Sequence, residues 1–299
     1  MFETTALTLK FLSSNTEALN AFQNKISESL NQIIQNNKTD LMGYAFQIYS
    51  LFVATSSEVN QLFEALLQSV LQPTNWNKDV KQLIPSFGQF LIAMVCKFPD
   101  YMKQYTEQIG NIVIHLLGTE IRMEQTGLQI TSAVFERIGI FSDELLAKVL
   151  TQIFTFMHFY RNSTRSKVIP AVITRAIHVF FATFMISFGS ERLIKACDGI
   201  QANILFMILK SEGEKIKLCS SPARDRKYVI AAYTNLFNEF SGKFVDESLK
   251  TVISSLVELC RKDNHGAFIT ASRKEGSVEE MLDDGAIDQT FAFQRESHV

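Results

Sequence analysis

The chain is poor in the residues that interrupt helices: its 299 positions include 13 glycines and 5 prolines. All-β sandwiches and barrels need turn signals about every 8–12 residues, so this scarcity argues against them. A charge of one sign is also lacking. The 29 Lys and Arg nearly balance 31 Asp and Glu, for a net charge of -2, and no global cationic field points to nucleic acid or to an anionic membrane surface. Long hydrophobic runs are missing as well. The longest apolar stretch, around residues 177–189, is shorter than the roughly 20 residues of a membrane span, and no membrane span is expected. The opening "MFETTALTLKFLSS" carries Glu3 and no basic n-region, so it does not read as a signal peptide. Cys96, Cys197, Cys219 and Cys260 are far apart and mostly in apolar stripes, which fits reduced core thiols rather than a disulfide framework. The sequons at Asn37 and Asn162 read as chance matches.

What is abundant is long apolar side chain. Hydrophobic residues make up 46% of the chain, charged residues 20%, and there are 25 Phe. This is a globular, all-α composition. Helical stripes recur in pairs: 2–12 with 16–36, 40–55 with 57–72, 79–97 with 100–117, and 121–139 with 142–160, a fifth beginning near Thr164. A start about every 40 residues, with two helices per unit, is the period of HEAT-type repeats. One amphipathic pair cannot bury its face alone, whereas stacked pairs form a continuous core. The expected fold is therefore an α-α superhelix, an armadillo-like HEAT solenoid of about six helix pairs over 1–262. Residues 263–299 are expected to form an acidic, partly disordered loop or tail. Ser57 and Ser142 read as N-caps, and Pro73, Pro99, Pro85 and Pro170 fall between helices or near their starts. The "SEGEKIKLCSSPARDRK" region interrupts the period, and a last pair follows at 223–240 and 246–262.

Chemistry is hard to find. No GxxxxGK[ST], GxGxxG, HExxH or CxxC occurs, so no cofactor, metal or catalytic residue is assigned. His115 and His178 sit in apolar helical runs and read as satisfied core or boundary histidines. The pairs Glu279-Glu280 and Asp283-Asp284 read as solvated charge. The basic segments 160–167 and 223–227 suit an acidic partner or simply flank helices. In "ERLIKACDGIQANILFMIL" (191–209), Asp198-Gly199 reads as a helix stop, with Gly199 left-handed at C′ and Ile200 closing the cap.

Several stretches together carry a resemblance: "MFETTALTL" (1–9), "YAFQIYSLF" (44–52), "LLQSVLQPTNW" (66–76), "LIPSFGQFL" (83–91) and "FGSERLIKACDGIQANILFMIL" (188–209). In order and spacing they resemble the C-terminal region of the exportin-2 family of β-karyopherins, also called the cellular apoptosis susceptibility proteins. The resemblance implies a nuclear export receptor shuttling between nucleus and cytoplasm. It implies importin-α as cargo, bound with Ran-GTP, the latter mainly through an N-terminal part that these residues do not match. The missing motifs and the balanced charge themselves lead to the expectation of no enzyme and no nucleic-acid partner. A scaffold for another multiprotein complex is the alternative, and a helical enzyme with a buried acid–base pair is a third reading. Helical phase, not motif, selects the partner-facing candidates on second helices: Glu58, Gln61 and Glu64; Lys148 and Gln152; Arg192 and Lys195; and Asp283 and Asp284 in the tail.

Overall fold

The structure is a computed structural model that describes residues 2–12, 15–162, 168–243 and 246–266. Among these the regular structure is helical, without strands, in agreement with the all-α reading. Fourteen α-helices occur among the described residues, and two of them, Pro99–Met102 and Ile204–Glu212, fall outside the six expected pairs. They divide into two compact units, one ending at Lys103 and the other beginning at Gln104.

The first unit holds α1 (Phe2–Leu12), α2 (Thr16–Gln35), α3 (Thr39–Thr55), α4 (Gln61–Val70), α5 (Ile84–Lys97) and the short α6 (Pro99–Met102). Helix α3 is its axis, packed by α1, α2 and α5. It is therefore buried almost all round from Gly43 to Ala54, as expected for a helix without a solvent face. Phe46 meets Phe87 and Phe90 of α5 edge-on, with centroids 4.7 and 5.7 Å apart. Tyr49 donates its hydroxyl to Asn31 Oδ1 at 2.6 Å, which satisfies the one polar atom of a fully buried ring.

Two boundaries differ from the sequence reading. Helix α4 starts at Gln61, not near Ser57, because the Asn60 side chain accepts the Phe63 N–H at 2.8 Å and is the true N-cap. Helix α5 starts at Ile84 rather than near 79. The residues before it make 3-10 turns, Pro73–Trp76 and Lys78–Val80, pinned by Trp76. That indole is fully buried and donates to the Val70 carbonyl at 2.6 Å.

The second unit holds α7 (Thr106–Leu116), α8 (Ile121–Arg137), α9 (Asp143–Asn162), α10 (Ala171–Phe188), α11 (Ser190–Asp198), α12 (Ile204–Glu212), a 3-10 segment Gly213–Leu218, α13 (Ala223–Phe240) and α14 (Asp246–Gly266). The helices sort into two layers. Helix α10 packs between α8 and α13, while α9 packs against α7 and α11. The core of the first layer is phenylalanine: Phe135 lies 5.4–5.7 Å from the rings of Phe141, Phe180, Phe184 and Phe188. By length and composition α10 is apolar enough to cross a membrane. Its place between two helices, with Phe180, Phe181 and Phe184 fully buried, accounts for that apolarity without a bilayer.

The Asp198-Gly199 stop is real, but its mechanism differs from the one expected. Gly199 is right-handed, with φ -63°, and its N–H bonds the Lys195 carbonyl as in an ordinary helical turn. The left-handed residue is Asn203, φ 58°, just before α12. Asp198 holds that turn by accepting the Asn203 N–H on Oδ1 at 2.7 Å. Asn tolerates this conformation better than other non-glycine residues. Ser142 caps α9 as expected, accepting from the Leu145 N–H at 3.3 Å. Cys197 and Cys219 are core thiols, whereas Cys260 is exposed and Cys96 half-buried. His115 is exposed in the last turn of α7, not in the core. Helix α14 continues to Gly266, and the expected tail after it lies outside the described residues.

Candidate partner surfaces

Phase places most of the candidate residues in solvent, though not all on helices. Glu58 lies ahead of α4, a correction that follows from the Asn60 cap, while Gln61 opens the helix and Glu64 sits one turn in. Glu64 accepts the Tyr101 hydroxyl at 3.3 Å. In the second unit Lys148 is exposed on α9 and ion-paired with Glu144 at 2.6 Å, and this ammonium holds the Glu144 carboxyl below its usual range. Gln152, one turn on, is half-buried. Arg192 and Lys195 are exposed on α11. The Arg192 guanidinium lies 4.0 Å from Asp143 Oδ1, at the start of α9, and 5.8 Å from the Phe188 ring centre. The structure thus brings Arg192 to the start of α9, the helix that carries Lys148, and keeps Gln61 and Glu64 together on α4. Asp283 and Asp284 lie outside the described residues.

The sequence did not foresee a polar cluster in the core of the second unit. His178 of α10 is fully buried. Its Nδ1 lies 2.8 Å from the Tyr233 hydroxyl of α13, and its Nε2 lies 3.3 Å from the Glu212 carbonyl oxygen at the end of α12. A carbonyl only accepts, so the neutral ring carries its proton on Nε2 and takes the Tyr233 proton on Nδ1. The Glu212 carboxylate is buried too, paired with Arg161 at 2.9 Å and Lys215 at 2.8 Å. Glu212 and Lys215 are three residues apart and readable as a helical pair. His178 and Tyr233 are 55 apart, and no local pattern announces their meeting.

Burial pushes the thiols of Cys197 and Cys219 up to about 12, so neither is a ready nucleophile. Burial also pushes His178 down to about 4, and both of its nitrogens are engaged inside the core. Glu124 is raised by burial while accepting the Tyr160 hydroxyl at 2.8 Å. A groove of about 370 Å³ beside α14 is lined by Glu214, Lys217, Lys250 and Glu258 with hydroxyl side chains, and no histidine reaches it. Among the described residues no cluster of three His, Cys, Asp or Glu could hold a metal.

Successive stacked helices define the helical-repeat class, whose working surfaces are extended rather than pocketed. The family is specific. The family model of the CAS/CSE protein C-terminus matches residues 1–293, and the chain belongs to that family. It is 24% identical to exportin-2 of Bos taurus and of Homo sapiens over 220 residues, covering 70% of this chain and 21% of each relative. It is 24% identical to exportin-2 of Drosophila melanogaster over 249 residues, covering 80% of this chain and 24% of that one. The chain therefore spans about a fifth to a quarter of the length of the curated relatives it matches. These relatives are named as exportins, not as enzymes. No solved structure matches the chain.

Proposed function

We propose that these residues form the C-terminal helical-repeat part of a nuclear export receptor. In this reading the receptor binds importin-α cooperatively with Ran-GTP and returns it from nucleus to cytoplasm, shuttling between the two. The observation that carries the reading is the family match through residues 1–293, together with relatives that are named exportin-2. Its cargo-facing residues are polar groups of the second helices: the exposed Gln61 and Glu64 on α4, the exposed Lys148 and half-buried Gln152 on α9, and the exposed Arg192 and Lys195 on α11. Glu58 ahead of α4 and the tail residues Asp283 and Asp284 complete the set.

The ion pair of Lys148 with Glu144 does not stand in the way. Both side chains are exposed and screened by solvent, so a partner carboxylate can replace Glu144. The test is a pull-down of importin-α by the full-length product of the gene and by residues 1–299, each with Ran-GTP and with Ran-GDP. Retention by the full-length product with Ran-GTP alone is the expected result. Retention under neither condition refutes the reading and leaves a scaffold for another multiprotein complex.

A further inference from the structure

Around the start of α13 the second unit gathers more arginine than acid. Arg224 pairs with Glu136 at the end of α8. Glu136 also accepts the Tyr228 hydroxyl at 3.0 Å and lies 3.8 Å from Arg137 Nη2. Arg175 of α10 donates to Asp225 at 3.0 Å. Arg226 donates to the Ser220 carbonyl at 2.7 Å, and Lys227 is exposed beside it. Three arginines meet the two carboxylates, and with Arg226 and Lys227 these segments carry five cations, a surplus of three positive charges. The charges are also sorted by depth. The side chains of Glu136 and Asp225 are 15% and 21% exposed, whereas those of Arg137 and Arg224 are 43% and 41% exposed. Arg175, 27% exposed, is nearly as covered as its partner Asp225, so the outward-facing charge comes from Arg137, Arg224 and the exposed Lys227.

We propose that this surface, formed by the end of α8, the start of α10 and the start of α13, docks an acidic segment of a partner protein. Four of the five cations are arginines, whose planar forks bind carboxylates in pairs of hydrogen bonds. Arginine and tyrosine are also the residues enriched at protein interfaces, where lysine is depleted. The Tyr228 ring lies under the Arg224 guanidinium, 5.3 Å from its centre, and gives the patch an aromatic anchor. A nucleic acid suits it less. Three surplus charges neutralise few phosphates, and duplex binders of ordinary strength neutralise about 6–10. The patch is made of residues of α8, α10 and α13, none of which is among those assigned to cargo, and it stands whether or not the export reading holds.

The probe is a fluorescein-labelled twelve-residue peptide of repeated Glu-Glu-Leu-Asp, with repeated Gln-Gln-Leu-Asn as its neutral counterpart. Binding to residues 1–299 is followed by anisotropy at low and at physiological salt. The acidic peptide is expected to bind, the neutral one not, and salt to weaken the complex. The double variant Arg137→Glu/Lys227→Glu turns the surplus of three into a deficit of one and is expected to weaken binding about ten-fold. Lys25→Glu, an exposed reversal on α2, leaves it unchanged. If thermal unfolding shows that the reversal variant is not folded, Arg137→Gln/Lys227→Gln replaces it, with an expected loss of about three-fold. The proposal is overturned if the wild-type chain does not bind the acidic peptide, or if the double variant binds it as tightly as the wild type. It is equally overturned if a twelve-nucleotide single strand or phosphatidylserine vesicles bind the patch more tightly than the peptide does, with the same dependence on Arg137 and Lys227.

Discussion

His178 makes the second unit sensitive to acid, by an amount that follows from its surroundings. The ring is fully buried, and burial lowers its pKa from 6.5 to about 4, even though the Glu212 carbonyl and carboxylate pull the other way. Lys215, on the 3-10 segment that follows α12, adds to the lowering. The charged groups around it are otherwise Glu212 and Arg161, already paired with one another. A second proton on the ring would have to sit on Nδ1, where the Tyr233 hydroxyl now donates. The folded state therefore resists protonation while the unfolded chain accepts it at the ordinary pKa. Between about pH 6.5 and pH 4 the unfolded state binds more protons, so stability falls as pH falls through that window. Across it, each pH step of one costs about 1.4 kcal/mol. Integrated from pH 7 to pH 5, the loss is about 2 kcal/mol, and the plateau below pH 4 is about 3 kcal/mol. That is a large share of the 5–15 kcal/mol typical of a domain.

The assay compares wild type with His178→Gln, which keeps a donor and an acceptor near Glu212 and Tyr233 but has no proton to gain. Urea unfolding of both at a series of pH values gives two stability curves. The variant is expected to start lower at pH 7, because the smaller side chain leaves a gap, and then to lose about 2 kcal/mol less than wild type on going to pH 5. Carboxylates contribute equally to both curves and cancel in the difference. Curves that fall in parallel over this range would refute the reasoning, since they would show that His178 takes up its proton as readily in the folded state.

Two further perturbations test the packing. Phe135→Ala removes the ring at the centre of the cluster with Phe141, Phe180, Phe184 and Phe188 and is expected to cost about 3–5 kcal/mol in denaturant unfolding; a loss under about 1 kcal/mol would show that the cluster is not the core. Gly213→Ala drives a Cβ into Val252 Cγ2 of α14, well inside van der Waals contact, although its backbone, φ -59°, accepts alanine. The cost is expected to be about 1–3 kcal/mol, and Val252→Ala in the same chain should recover much of it in a double-mutant cycle. Additive losses would show that the two sites do not touch.

The paired helices were legible in the sequence because burial imposes a period. Leu19, Phe22, Ile26, Leu30 and Ile33 fall along one side of α2, and the last pair at 223–240 and 246–262 lies where α13 and α14 are found. Ends were less legible, because they are decided by single hydrogen bonds among several eligible residues. Ser57 and Asn60 both qualify as caps on composition, and only the accepted Phe63 N–H distinguishes them. At 198–203 the glycine was the expected left-handed residue, yet Asn203 takes that conformation while Asp198 holds its N–H. The 3-10 turns before α5 follow from the burial of Trp76 against Phe87, a tertiary contact that helical phase does not encode. Polar partnerships across helices, such as His178 with Tyr233, or Arg137 and Arg175 joining the basic segment 223–227, depend on which helices stack. Sequence separation hides them.

The second unit handles its charges in two ways, and the difference separates scaffold from surface. Glu212 is 7% exposed and holds Arg161 and Lys215. Of these only the carboxylate is buried, Arg161 and Lys215 being 36% and 29% exposed, and it stays paired with one cation if the other is removed. Arg161 belongs to α9, Glu212 to α12, and the Glu212 carbonyl meets His178 of α10, so this cluster fastens three helices and has no freedom to exchange partners. At the surface the terms are different. Lys148 with Glu144, and Arg192 at 4.0 Å from Asp143, are exposed pairs that solvent screens. An incoming carboxylate or guanidinium can replace either member without loosening the fold. Helix α9 carries both kinds, with Arg161 locked at its end and Lys148 exchangeable near its start. A partner that engages Lys148 and Arg192 therefore meets side chains free to re-pair, on a backbone fixed by a buried carboxylate.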